Sequence, residues 1–294
     1  YPGLALPAGA SVAALGQGGD LAPDGAGVLR TAGANPIEVP LSWDLYADPG
    51  LDIGARLSDA LTPRTRALYL ITPNNPDGQM YSRSQLEVFA DFAKAHGLWV
   101  IADEVYADFA YAEDHVSIAG LAGMAERTVT SHSLSKSHAL AGARIGYVIA
   151  PPEVIDAARR ISNHTLYNVP ASMQRLATAA VISGTPWIEA ARKHYREART
   201  RAGEALAPLA ERGVVVHAPK GGSFYFLDFA PALASPAADA QRLLEQGIDH
   251  GVLLAPGSAF GRDFASCMRL CFTGVPSAEV EVGIARLTEA LASL

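Results

Sequence analysis

One lysine, Lys136, closes the run Ser131-His132-Ser133-Leu134-Ser135-Lys136, behind a β-branched and hydroxyl-rich segment that begins at Arg127. Arg144 follows inside Ala141-Gly142-Ala143-Arg144-Ile145-Gly146-Tyr147. A strand that carries the chain into such a turn presents hydroxyls and one amine together. The arginine returns to the same place, flanked by glycines that let backbone approach a ligand. An amine, an arginine and two serines suit a phosphate-bearing carbonyl compound: the amine attacks the carbonyl, and Arg144 and Ser133 hold the phosphate. A surface lysine beside a buried arginine is the other reading these residues leave open.

The elements that must position these groups come next. Ala67-Leu-Tyr-Leu-Ile-Thr72 reads as a buried strand ending in Pro73-Asn74-Asn75-Pro76-Asp77-Gly78, and Leu98-Trp-Val-Ile-Ala102 as another ending in Asp103-Glu104-Val105-Tyr106. In both, polar groups lie just past the carboxyl end of an apolar strand, where open α/β sheets place their ligands. A short strand is expected over 35–40 and a helix over 51–61, stopped by Thr62-Pro63. Ser84 to His96 is amphipathic, with Leu86, Phe89, Phe92 and Ala93 on one face, and Gly97 stands where a left-handed residue ends a helix. Helices alternating with apolar strands predict an α/β fold, a mostly parallel sheet covered on both faces. Residues 10–34 are rich in Gly, Ala and Asp and show no periodicity, so they read as a loop. Gly16-Gln17-Gly18-Gly19 follows no predicted strand and opens no helix, so it is not read as a phosphate loop.

Asn75-Pro76-Asp77-Gly78, Asp103-Glu104-Val105-Tyr106, and Ser133-Leu134-Ser135-Lys136 with Arg144-Ile145-Gly146-Tyr147, in this order, resemble the fold-type I pyridoxal-phosphate (PLP) aminotransferases of class I/II. The resemblance runs from Ile37 to the end. It implies a large PLP-binding domain over 1–185 and a long linking helix with a smaller α+β domain over 186–294. For the second part the pattern gives a helix from Pro186 to Glu211, strands at 213–217, 223–227, 251–254 and 268–272, and helices near 236–247 and from Ser277. Tyr1-Pro2 resembles the end of a segment whose aromatic ring stacks on the PLP ring. The family's N-terminal arm, phosphate loop and first strand would precede it, so the sequence reads as part of a longer chain.

The resemblance assigns roles to residues. Lys136 is the Schiff-base lysine and must spend part of the cycle neutral. Asp103 partners the pyridine nitrogen, which lets the ring accept the carbanion's electrons; a buried Asp requires a cation there. Asn75 and Tyr106 donate to the phenolic oxygen. Ser133 and Arg144 bind the phosphate, with Ser135 either joining them or satisfied by backbone. Arg269, in the apolar run Cys267-Met-Arg-Leu-Cys-Phe272, needs an anion: the substrate α-carboxylate, held with Asn75 nearby, or an internal acid. Gly221-Gly222-Ser223-Phe224 and Pro256-Gly257-Ser258-Ala-Phe-Gly261 shape the substrate pocket. The family commonly has Thr where Asp77 stands; at a turn the change implies little, and Asn74 reads as a turn residue. His132, His138 and His164 show no metal spacing and read as structural, and Trp99 and Trp187 as packing residues.

Composition narrows the class. Of 294 residues, 49% are apolar and 18% charged, a globular balance with room for two domains. A net charge of −7 without a Lys/Arg cluster argues against a nucleic-acid surface. Cys267 and Cys271 are the only cysteines and are expected to be free thiols. No apolar run reaches membrane-spanning length, and the chain reads as cytoplasmic. The expected function is an aminotransferase that moves an amino group between an L-amino acid and a 2-oxo acid by a ping-pong mechanism, as a homodimer. A PLP-dependent lyase, synthase or decarboxylase shares the same residues. A histidinol-phosphate aminotransferase is a further variant, because Tyr167-Asn168-Val169-Pro170 resembles that branch. A non-catalytic homologue that keeps only the fold is the third reading.

Overall fold

The computed structural model describes residues 11–16 and 29–294. Two sheets organise it. The first has six strands in the order β2-β1-β3-β4-β5-β6, formed by β1 (Ser11–Gly16), β2 (Asn35–Pro40), β3 (Thr65–Ile71), β4 (Trp99–Asp103), β5 (Thr128–Ser133) and β6 (Gly146–Ile149). All neighbours are parallel except β5 and β6, which are antiparallel. The expected mostly parallel α/β sheet is therefore present, with one reversed strand at its edge.

The loop reading of 10–34 is corrected: Ser11–Gly16 lies between β2 and β3 and pairs with both. Gly16 thus ends a strand, contrary to expectation. The partners that make this segment a strand are distant in sequence, so its own residues give no alternation to detect.

Helices cover the sheet. Those before the second sheet are α1 (Asp44–Ala47), α2 (Ile53–Ala60), α3 (Arg83–Ala95), α4 (Leu134–Ser137), α5 (Pro152–Thr165) and α6 (Ala171–Ser183). Helix α3 begins with a capping box: the Ser82 hydroxyl accepts from the Gln85 N–H, and the Gln85 side chain accepts from the Ser82 N–H. Its buried Leu86, Phe89, Ala90 and Ala93 follow the i, i+3, i+4, i+7 pattern and pack with Ile53 and Leu57 of α2 over Leu68, Leu70 and Val100 of the sheet. Gly97 has φ 63°, as its position after α3 demands. Replacing the fully buried Phe89 with alanine is expected to cost about 3–4 kcal/mol of stability, measurable as a lower urea midpoint with an unchanged slope.

Chain order continues with α7 (Thr185–Ala205), α8 (Ala207–Glu211), β7 (Val215–Val216), β8 (Phe224–Asp228), α9 (Pro236–Asp249), β9 (Ala255–Pro256), β10 (Cys267–Cys271) and α10 (Ser277–Ala292). The single helix expected over 186–211 is two. Pro208 lacks the N–H that a continuous helix needs and its ring crowds the preceding turn, so α7 ends at Ala205. The second sheet, β7-β8-β10-β9, is antiparallel. Its buried Tyr225, Leu227, Met268 and Leu270 pack against Ala198 and Ala202 of α7, Leu243 of α9 and Ile284 and Leu287 of α10. The strand expected at 251–254 is not formed. Pairing is confined to Ala255–Pro256, and Leu253 is 84% exposed.

The strand β6 forms the outer edge of the first sheet, and all four of its residues are exposed. Gly146 is required there: a Cβ would lie 2.4 Å from the His132 carbonyl oxygen. Helix α6 contributes no buried residue.

Candidate active site

Register sets the site. Asp103, the last residue of β4, pairs with Ile71 on one side and Ser131 on the other. The carboxyl ends of β3 and β4 are therefore level, β5 runs on past them to Ser133, and the loops beginning at Thr72, Glu104 and Leu134 open on one side of the sheet. The Asp103 carboxylate accepts from the Tyr69 hydroxyl at 3.3 Å and from the Val105 N–H at 3.3 Å. Burial pushes this carboxyl above its ordinary value, and those two donors and the nearby His132 only partly oppose the shift. The structure thus gives Asp103 donors, where the sequence required a cation.

Lys136 lies on α4, whose first turn is capped by Ser133: its hydroxyl accepts from the Ser135 N–H at 3.2 Å. The side chain of Lys136 is exposed, with Nζ 5.8 Å from the centre of the Tyr106 ring. Tyr106 is buried edge-on against Phe224, and burial raises its hydroxyl to about 12, with Arg269 opposing the rise. Arg144 is exposed and donates to the Ala141 carbonyl at 3.2 Å. Its φ of 51° places a non-glycine residue in the left-handed region at the turn into β6.

Arg269 is the most enclosed cation of the group. Its guanidinium carbon lies 4.1 Å from the Phe224 ring centre and 4.8 Å from that of Phe260. Nη1 donates to Asn75 Oδ1 at 2.7 Å, while Nε is buried with no hydrogen-bond partner among the described residues. Burial lowers its ordinary value. Among the described residues two aromatic faces and an amide oxygen hold it, and Nε keeps an unused donor. Phe224 and Phe260 lie in the two Gly/Ser-rich segments that the sequence assigns to the pocket.

Tyr1 lies outside the described residues. The other expected site residues divide into two groups. Asn75 and Arg269 touch, and Tyr106 lies near Lys136 and within electrostatic reach of Arg269 and Asp103. Ser133, Ser135 and Arg144 lie on the turn around α4, where Ser133 is engaged as a helix cap and Arg144 with its own turn. His132 stacks on Tyr147 with ring centres 4.8 Å apart. His138 meets the Ser137 hydroxyl at 2.8 Å. Trp187 is 54% exposed, not a core residue, and donates to the Ser137 carbonyl at 3.2 Å. Cys267 is buried and Cys271 exposed, both as free thiols. Among the described residues there is no group of metal-binding side chains and no helix long and apolar enough to cross a membrane.

Two features escaped the sequence. Asp77 is a buried hub, not a bland turn residue. Glu104, beside Asp103, is 2% exposed, accepts from the Ser117 hydroxyl at 2.8 Å and stands 3.8 Å from His132 Nε2. Burial raises Glu104 to about 7 from its ordinary 4.5. A raised carboxyl favours the folded state while protonated, and that contribution is lost as pH climbs from about 4.5 through about 7. Glu104→Gln should therefore gain up to ~3 kcal/mol over wild type at pH 8 and nothing at pH 4, read from urea melts at the two pH values.

The aminotransferase class I and II family model matches residues 26–287, and the chain belongs to that family. It is 38% identical over 244 residues to the arginine–pyruvate transaminase of Pseudomonas aeruginosa, an alignment covering 83% of this chain and 60% of that protein. Among solved structures it superposes on the aromatic aminotransferase of Pyrococcus horikoshii with a TM-score of 0.85 and 29% identity, covering 98% of this chain and 74% of that one. The Thermus thermophilus aspartate aminotransferase double mutant gives a TM-score of 0.84 and 27% identity, covering 97% and 71%. The chain thus spans about 60% of the length of that curated relative.

Proposed function

We propose that the chain carries the cofactor and carboxylate sites of a PLP-dependent aminotransferase that moves an amino group between an L-amino acid and a 2-oxo acid. The observation that carries this is Arg269, desolvated between two rings, bonded to Asn75 and holding an unpartnered buried donor on the same side of the sheet as Lys136, Tyr106 and Asp103. A planar cation with a spare donor suits a carboxylate.

The donor set fits PLP. Asp103 is a carboxylate whose burial calls for a cationic partner, and a pyridinium would supply it. Asn75 and Tyr106 would donate to the phenolic oxygen, and Ser133, Ser135 and Arg144 to the phosphate. When bound, PLP supplies an aldehyde for an amine to capture and a ring that accepts the electron pair left at the substrate Cα. The chain's own residues do the rest. Lys136 Nζ, as the free amine, would take the Cα proton and deliver it to the carbon that was the cofactor's aldehyde carbon. Arg269 holds the α-carboxylate and so fixes which Cα bond faces Lys136. Asp103 would keep a proton on the cofactor's ring nitrogen. The two half-reactions use these groups in reverse order, which gives ping-pong kinetics.

The division at 185/186 belongs to the same proposal, supported by the two separate sheets and the start of α7 at Thr185. A homodimer is proposed too, supported by the exposed Leu166, Tyr167 and Ile182. The free thiols support a reducing, cytoplasmic setting. The test is a visible spectrum of the chain titrated with PLP and then with single amino acids, arginine first and pyruvate as acceptor. A new absorption band that bleaches with a donor and returns with a 2-oxo acid is expected. Release of pyruvate and ammonia from one substrate without an acceptor would replace transamination by a lyase reaction, and no band at all would overturn the reading.

A further inference from the structure

Asp77 sits three residues from Asn74 in the loop after β3, with 2% of its surface exposed. Its carboxylate accepts from the Ser42 hydroxyl in a short bond, from Asn74 Nδ2 at 2.8 Å and from the Gln79 N–H at 3.0 Å. Ser42 Oγ also accepts from Asn74 Nδ2 at 2.9 Å, and Gln79 Nε2 reaches the Ser42 carbonyl at 3.3 Å. The Asp77 carbonyl accepts from the Tyr46 hydroxyl at 3.0 Å. Backbone bonds close the loop itself: Asn74 N–H to the Gln79 carbonyl, and Gly78 N–H to the Asn74 carbonyl. On the far side the Gly78 carbonyl accepts from the N–H groups of Lys220 and Gly221. Gly78 has φ 70°, and a Cβ there would lie 2.4 Å from Pro219 Cβ.

Asn75 is the one polar side chain of this loop turned away from the brace and toward Arg269. Its backbone is held on both flanks by groups that Asp77 ties together, and to the 42–46 segment. An amide that is free to swing would lose the 2.7 Å bond to Arg269, because a hydrogen bond weakens steeply with misalignment.

We propose that Asp77, through Ser42 and Asn74, is the positioning residue that aims Asn75 at Arg269 and thereby sets the orientation of the guanidinium that receives the substrate carboxylate. The role of Arg269 toward substrate rests on the functional reading above; the aiming of Asn75 does not. Asparagine at position 77 keeps an oxygen for Asn74 and Gln79, and its amide can donate to the Ser42 hydroxyl, so Asp77→Asn keeps the brace. Asp77→Ala removes all three bonds.

The test compares the full chain with Asp77→Asn, Asp77→Ala, Ser42→Ala and, as the reference for complete loss, Asn75→Ala. The first readout is the Arg269 guanidinium signal in 15N–1H spectra, identified by its loss in Arg269→Lys and needing no cofactor. Wild type and Asp77→Asn should show slow Nη rotation, and Asp77→Ala and Asn75→Ala fast rotation. The second readout is steady-state kinetics with PLP, arginine and pyruvate. Asp77→Ala should raise KM for the amino acid about tenfold, more than kcat falls, with rescue in Asp77→Asn. An unchanged Arg269 signal and KM in Asp77→Ala, with only a lower melting temperature, overturns the proposal. If Asp77→Ala does not fold, Ser42→Ala decides, since unchanged Nη rotation there overturns it equally. Absence of transamination in wild type would sink the functional reading while leaving the spectroscopic test intact.

Discussion

Lys136→Ala is expected to cut turnover by more than about 10⁴-fold while moving the melting temperature by no more than ~1 °C. The two halves of that statement have separate causes. On the proposed function the amine would serve as nucleophile toward the aldehyde and as carrier of the Cα proton, so its loss would remove both steps. No described neighbour takes over, because the Tyr106 hydroxyl is held at about 12 and the Ser133 hydroxyl caps α4. Stability is spared because the side chain is exposed and contributes little burial. Steady-state assays beside a thermal melt check both. A variant that retained a tenth of the activity would remove Lys136 from the chemistry.

Asp103→Asn is expected to move activity and stability in opposite directions. Burial raises the Asp103 carboxyl, so ionising it costs the folded chain more than the unfolded one. The sign follows: the folded state binds the proton more tightly than the unfolded state, so stability falls as pH rises past the ordinary carboxylate range. The amide carries no such charge, and the variant should melt higher than wild type at pH 7 and equally at pH 3. Turnover should fall by about 10³-fold, because on the proposed function the charge that would keep the ring nitrogen protonated is gone. Paired melts with and without PLP decide it. A variant destabilised at pH 7 without cofactor would mean that the bonds from Tyr69 and Val105 outweigh the desolvation.

What the sequence made legible follows from range. Strands β3 and β4 and their polar ends were readable because an apolar run bounded by turn residues is a local signal. Helix α3 was readable because its apolar stripe and the Gly97 that follows it are local signals, while the Ser82–Gln85 capping box that sets its start was not read. Strand β1 was not, because its identity comes from pairing with β2 and β3 across the chain. The segment 251–254 misled in the opposite sense: apolar residues were present and a pairing partner was not. Pro208 was a readable break in α7 that the helical composition around it outweighed. Asp77 shows the limit most clearly. Its residue type fits an exposed turn, yet its neighbour Ser42 lies 35 positions earlier and the two are buried together. Phe224 and Phe260 were placed by their segments, but a stack on Arg269 from both faces is a tertiary fact.

The edge strand β6 has a consequence for the chain as a colloid. Gly146–Ile149 carries none of the lysines, prolines or inward charges by which edge strands resist pairing with other molecules. Beside it, the exposed Leu176, Val181 and Ile182 of α6 extend a charge-poor surface. The net charge of −7 opposes the pairing of two such edges. That repulsion is long-ranged and shrinks to about 10 Å at 0.1 M salt, whereas apolar attraction does not weaken with salt. For this chain, then, added salt weakens the charge term that opposes edge pairing and leaves the apolar term in place.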